Sequence, residues 1–328
     1  MRLSGKAAPG SIGLIPGKTM KFKFSSLSPK FRGIVMIFAA NVLFALNIPV
    51  SKELTPYWID PFGLSFLRIS FAFLSFFILS FIIGSGVKFK LKEHLILFIC
   101  GVTGITVNQL AFLAGLSITS PVDASLIITM TPIITMVFSA VIIKEPITLR
   151  KTAGVLIGMT GAVLILYASY SGVFSQSGTV KGNLIVLSSG FVYSLYLVMI
   201  RPLMQKYPPV EVMKWTFFYG MMVSLPFTLK YTSIKAEADI LQFLQLGYAL
   251  LFGTFTAYLL VAFSLRHLRP TTVSMFNYVI PLLASFIAIY IGQDTFNWTK
   301  PVSAILIFSG VYFVITSRSR EGSTKDTR

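Results

Sequence analysis

The chain has 328 residues, 55% of them apolar and only 12% charged, against about 25% charged in an ordinary soluble domain. With a mean hydropathy of +0.79, this excludes a disordered chain, a collagen-like fibre and a disulfide scaffold, and it points to a membrane protein. A net charge of +17 would suggest nucleic acid in a soluble protein. Here the cations sit between apolar runs, where they report orientation in a bilayer, so no nucleic-acid partner is expected.

Residues 1–32 are basic, acid-free and rich in Gly, Ser and Pro. They lack the apolar core of a secretory signal, so the composition predicts a disordered cytoplasmic tail; Met20 offers a second start. Ten apolar runs follow, each near the ~20 residues a helix needs to cross a bilayer. They are Gly33–Ser51, Pro61–Ile83, Leu95–Leu116, Pro121–Ile143, Ala153–Tyr170, Asn183–Ile200, Val210–Leu229, Leu244–Leu265, Thr271–Ile291 and Pro301–Ser317. The runs are apolar on all faces, which favours helices over the alternating strands of a barrel. Residues 318–328 form a second basic tail. Cys100 is the single cysteine and lies within a run, so no internal disulfide can form.

Lys and Arg orient the spans. Of 28, the side with the N-terminal tail carries 21 and the opposite side five, while Arg68 and Lys214 lie inside runs. Both termini are therefore expected in the cytoplasm, with the protein in the cell (inner) membrane.

The two halves align at a constant shift of 149 residues. Gly33 meets Gly182, Lys52 meets Arg201, Pro121 meets Pro270, Ser125 meets Ser274, Pro132 meets Pro281, Glu145 meets Asp294, Lys151 meets Lys300 and Gly161 meets Gly310. Ordered pairs of this kind mark an internal repeat. Each half holds five spans, an odd number, so the second must enter the membrane from the other side. The fold class expected is an all-α integral membrane protein with ten transmembrane helices. They form two inverted five-helix repeats, 33–170 and 182–317, an arrangement suited to alternating access.

The residues that carry these patterns resemble the drug/metabolite transporter superfamily, of the EamA type. Phe44-Ala45-Leu46-Asn47 with Lys52 is similar to the family's Trp-Gly-x-Asn…Lys, with Phe for Trp and Ala for Gly, and Arg68 sits where many members carry an Arg. The best match runs from Asn108-Gln109 through Gly115-Leu116, Thr119-Ser120-Pro121, Ala124-Ser125 and Pro132 to Lys144-Glu145-Pro146-Ile147, Gly154 and Gly161. The second half follows more loosely, with Gly292-Gln293-Asp294 for the usual Leu-Gly-Glu. The resemblance implies movement of small metabolites, often amino acids or related amphipathic compounds, and names no substrate.

Candidate binding residues follow from polarity inside the spans. Ser125, Thr129 and Pro132 fall at i, i+4 and i+7, one helix face. Ser274, Tyr278 and Pro281 repeat the pattern, with Asn277 beside them. Each mid-span Pro frees a backbone carbonyl. Two readings stand: a cavity lined by both stripes, or kinks packed against neighbours with the hydroxyls bonded to their own helices. Asn47, Gln109 and Arg68 are further candidates. A charge that deep in a span is functional by default, unless Arg68 snorkels or pairs with Asp123 or Glu53. Tyr193 and Tyr258, among several span aromatics that include Tyr196, Trp215 and Tyr219, are able to stack on a planar substrate. Glu145, Asp294 and Lys214 are expected in structural pairs.

His94 and His267 are expected in loops without metal-ligand spacing, and there is no Walker loop or His-Glu-x-x-His. No enzyme activity, metal or cofactor is expected. The partners expected are a small-molecule substrate and the lipid bilayer; the sequence sets no oligomeric state. A secondary carrier is the reading, and a membrane sensor or interaction protein that keeps the carrier fold is the alternative.

Overall fold

The computed structural model describes residues 28–55, 58–84, 86–119, 121–170, 179–231, 239–290 and 298–317. Its helices are α1 (Pro29–Leu54), α2 (Pro61–Ile83), α3 (Leu91–Ile118), α4 (Pro121–Ile128), α5 (Thr131–Ile142), α6 (Leu149–Tyr170), α7 (Val180–Lys206), α8 (Pro209–Tyr231), α9 (Ile240–His267), α10 (Pro270–Met275), α11 (Val279–Tyr290) and α12 (Thr299–Thr316). Among the described residues, α1, α2, α3, α7, α9 and α12 are long and apolar enough to cross a membrane. Residues 1–27 with Met20, residues 318–328 and Asp294 lie outside the described residues, while Pro29–Arg32, expected in the disordered tail, form the first turn of α1.

Local chemistry sets the helix starts. Asp60 accepts from the amides of Phe62 at 2.8 Å and Gly63 at 3.0 Å, with Pro61 in the first turn, where a missing N–H costs nothing. Thr179 caps α7 through the amide of Gly182. Apolar side chains cover the outside as well as the core: Phe81, Ile82, Val141 and Ile305 face outward, while the polar Ser65, Thr106, Thr135 and Ser264 are inside. The inner hydroxyls bond to backbone, as Thr106 does to the Gly220 carbonyl and Thr135 to that of Thr131. Small residues bring helices close: α6 and α12 cross at Gly154 and Gly310, where the Gly310 carbonyl is 2.8 Å from the place a Cβ on Gly154 would take.

The runs around Pro132 and Pro281 are interrupted. The first breaks at Thr129–Met130 between α4 and α5, and the second has a 3-10 turn at Phe276–Tyr278 between α10 and α11. Proline supplies no N–H to the preceding turn, so the helix ends there or tightens. His94 lies in the first turn of α3 and His267 ends α9, so both are helical and not in loops.

The shift of 149 reappears in three dimensions. Two π-helical turns, Gly101–Val107 in α3 and Leu251–Thr256 in α9, occupy equivalent positions. Gly33 packs on Leu268, and Gly182 packs on Thr119. Gly104 packs on the ring of Tyr196, and Gly253 on the side chain of Asn47. In both cases a first-half residue meets a second-half partner, and the equivalent second-half residue meets the equivalent first-half partner. Such exchanged contacts are the signature of a two-fold relation between the halves. Within each half the correspondence holds too: Lys52 donates to the Thr119 carbonyl at 2.9 Å, and Arg201 to that of Leu268 at 3.4 Å.

Candidate functional site

A cavity of about 110 Å³ lies where the two halves meet. Its wall includes Phe44, Asn47 and Ile48 of α1, Arg68 of α2, Asn108, Gln109 and Phe112 of α3, and Ile128 and Thr131 at the α4–α5 break. The second half supplies Ser189, Gly190 and Tyr193 of α7, Tyr258 of α9, and Asn277 and Ile280 around the α10–α11 break. Four pairs in this wall are related by the shift of 149: Phe44 with Tyr193, Gln109 with Tyr258, Ile128 with Asn277, and Thr131 with Ile280. The cavity therefore straddles the two-fold axis, and both interrupted helices open onto it.

The wall is not symmetric in charge. Arg68 is 4% exposed. It lies seven residues into α2, about 10 Å along the axis at ~1.5 Å per residue. Its Nε donates to Thr254 Oγ1 at 2.7 Å and an Nη to the Gly253 carbonyl at 3.2 Å. Both acceptors lie in the π-helical turn of α9, where the glycine lets Asn47 approach closely. Arg68 thus neither snorkels nor pairs with Asp123 or Glu53. Among the described residues no carboxylate lies within 4.0 Å of it. Its repeat counterpart is Phe217, which is buried in the apolar core.

Beside Arg68, Gln109 is 4% exposed with its amide against the Tyr258 hydroxyl, and the buried Asn47 has a lone Oδ1. Asn108 differs: its Nδ2 donates to the Ser189 carbonyl at 3.1 Å and its Oδ1 accepts from Tyr258 at 3.3 Å. Tyr258 also packs edge-on to Phe44 with ring centres 5.9 Å apart. The site thus offers one cation, amide groups with unpartnered oxygens on Gln109 and Asn47, and aromatic faces. Nothing in the wall is a nucleophile–base pair, and no group of three potential metal ligands occurs among the described residues.

The EamA-like transporter family matches residues 31–167 and again 180–316, two stretches that are themselves offset by 149. The chain belongs to the EamA-like transporter family. An uncharacterized transporter of Archaeoglobus fulgidus is 24% identical over 77% of this chain and 87% of its own length. One from Methanothermobacter thermautotrophicus is 23% identical over 86% and 85%. A WAT1-related protein of Arabidopsis thaliana is 23% identical over 85% and 81%. A crystal structure superposes with a TM-score of 0.70 over 87% of this chain and 97% of its own, at 17% identity, which establishes a shared fold. The chain is accordingly a multi-pass membrane protein of a transporter family.

Within this EamA-like frame, six of the ten residues singled out from sequence come together on the cavity wall: Asn47, Arg68, Gln109, Tyr193, Tyr258 and Asn277. The other four do not. Ser274 bonds back to the Thr271 carbonyl, and the Tyr278 hydroxyl donates to that of Val155 while its ring packs on Gly158. Ser125 and Thr129 are buried off the wall. The helices that carry the stripes border the cavity, but through other positions. A continuous helix puts i, i+4 and i+7 on one face, but the breaks turn Ile128 and Thr131, and equivalently Asn277 and Ile280, toward the cavity. The wall's other nine, Phe44, Ile48, Asn108, Phe112, Ile128, Thr131, Ser189, Gly190 and Ile280, were not among the ten. For Phe44 and Ile128 the repeat held the signal, since their partners Tyr193 and Asn277 were singled out. Tyr196, Trp215 and Tyr219 are not on the wall; Tyr196 lies under Gly104, and Tyr219 bonds His94 at 3.0 Å.

Proposed function

We infer that the chain is a secondary, non-ATP-driven carrier of small amphipathic metabolites that works by alternating access, with ten transmembrane helices as two inverted repeats. One observation carries the reading: the polar cavity is built from repeat-equivalent positions on both halves. A site on the two-fold axis stays put while the halves exchange conformations, which is what alternating access requires of it. The cavity, with Asn47, Arg68, Gln109, Tyr193, Tyr258 and Asn277, is the substrate site. The charge asymmetry supports placement in the cell membrane with both termini inside.

The test is solute flux in liposomes containing the purified chain, using counterflow of labelled small metabolites. Flux that saturates and falls with Asn277→Leu supports the carrier; binding without flux would make the chain a sensor on a carrier fold. Topology has its own test. Cys100 is buried, so an impermeant thiol reagent reads added cysteines. Reagent outside the cell should label Lys181→Cys and spare Lys90→Cys, both exposed positions; the reverse pattern would sink the inverted arrangement.

A further inference from the structure

We propose that the cavity selects small monocarboxylates that carry no ammonium group, so that zwitterionic α-amino acids are poor ligands. This rests on the reading of the cavity as the substrate site and narrows its substrate class. Among the described residues the wall holds one full charge, the guanidinium of Arg68, and no Asp, Glu or His. A buried cation without a counter-ion is costly, and its remaining donors are best satisfied by a carboxylate brought by the ligand.

The same wall disfavours an ammonium. That group would lose its hydration with no carboxylate to replace it, and it would share a small cavity with a like charge. The faces of Phe44, Tyr193 and Tyr258 could offer a cation–π contact, but such contacts are weaker than the hydration lost. What the wall does offer is neutral hydrogen bonding. The Gln109 amide, set against the Tyr258 hydroxyl, and the Asn47 Oδ1 each keep an oxygen without a partner, which fits a hydroxyl or amide group near the carboxylate. The cavity is half-open, so its volume of about 110 Å³ sets no ceiling on ligand size: the carboxylate seats at Arg68 and a flat body, one ring or a short chain, lies against the aromatic residues.

Three probes of one shape isolate the two charges: mandelate with carboxylate and hydroxyl, phenylglycine with ammonium in place of the hydroxyl, and mandelamide with no charge. Binding of each to the purified full chain is measured by calorimetry. Mandelate is expected to bind at least about tenfold tighter than either analogue, the scale of one charged hydrogen bond or more. Arg68→Met should erase the preference over mandelamide while melting near wild type, and Gln109→Leu should weaken mandelate about tenfold with the preference over mandelamide kept. Phenylglycine binding as well as mandelate overturns the proposal, as does a wild-type chain that binds none of the three. The wild-type ratio decides alone if a variant fails to fold. Flux separates this from the carrier reading. A chain that moves other solutes but ignores mandelate refutes the selectivity only, whereas one that binds mandelate and moves nothing refutes the carrier only.

Discussion

Two buried cation sites in this molecule are built on opposite plans. At the junction of α5, α6 and α10, Lys151 is fully buried with its Nζ 3.1 Å from Glu145, and Arg269 reaches the same carboxylate at 3.5 Å. Thr271 adds a hydrogen bond to it at 3.2 Å. The chain turns through a left-handed residue, Lys144 at φ 53°, and the Glu145 amide bonds the Ser139 carbonyl at 3.0 Å. Arg68 has the neutral acceptors of Thr254 and Gly253 and, among the described residues, no carboxylate. Where the cation is structural, the protein supplies the anion. Where the cation faces the cavity, the proposed carboxylate ligand would supply it.

The strongest way to break this contrast is to remove the internal anion. Glu145→Gln leaves Lys151 buried and unpaired, and it is expected to destabilise by about 3–5 kcal/mol, read as a large drop in melting temperature in detergent. Glu145→Gln combined with Lys151→Met should recover much of that loss, because no unpaired ammonium remains. A single variant that melts like wild type would show the cluster to be hydrated and would end the comparison.

Packing around the two π-helical turns gives the next effect. A Cβ at Gly104 runs into the buried ring of Tyr196, while at Gly253 it meets the amide of Asn47, which borders the cavity. A buried ring has nowhere to go; an amide end has open space. Gly104→Ala should cost about 1–3 kcal/mol, the usual price of overpacking, and Gly253→Ala less. Gly253→Ala should nevertheless impair flux more, since it displaces Asn47 and the carbonyl that holds Arg68. Equal losses of stability would mean the cavity is closed at this point.

A smaller change in stability is expected where the charge itself is removed. Arg68→Met abolishes a desolvated cation and should shift stability by no more than about 1 kcal/mol in either direction, although transport is lost. A drop as large as that of Glu145→Gln would make Arg68 a structural residue. The sequence could mark Arg68 as unusual, because an arginine inside an apolar run is rare whatever surrounds it. It could not reveal the missing counter-ion, which depends on α9 arriving with a serviceable turn and no acid. The repeat was legible for a similar reason: Gly, Pro, Lys and acid positions survive as a linear pattern. The helix breaks that re-aim Ile128 and Asn277 were not legible, because proline announces an interruption and not the angle through which the next turn leaves it.

The smallest effect expected is none at all. Proton-coupled carriers commonly rely on an intramembrane Asp, Glu or His that gains and loses a proton, and the described residues of the cavity wall include none of these. Asp123 is the acid nearest the interior by sequence. It sits in the first turn of α4, where Asn183 Nδ2 reaches it at 3.4 Å, and Asn183 also holds Thr119. This is a helix-end network away from the wall. Guanidinium does not deprotonate in proteins, so Arg68 cannot relay a proton. An imposed pH gradient across liposomes should therefore leave accumulation of a carboxylate unchanged, and Asp123→Asn should leave it unchanged again. A carboxylate crossing alone instead responds to voltage, at about 2.3 kcal/mol per 100 mV, close to a fiftyfold ratio. Inside-negative potential should drive it outward. Uphill accumulation that follows the pH gradient, and that Asp123→Asn abolishes, would make Asp123 the coupling site and would give the unpaired Arg68 a partner at another point in the cycle.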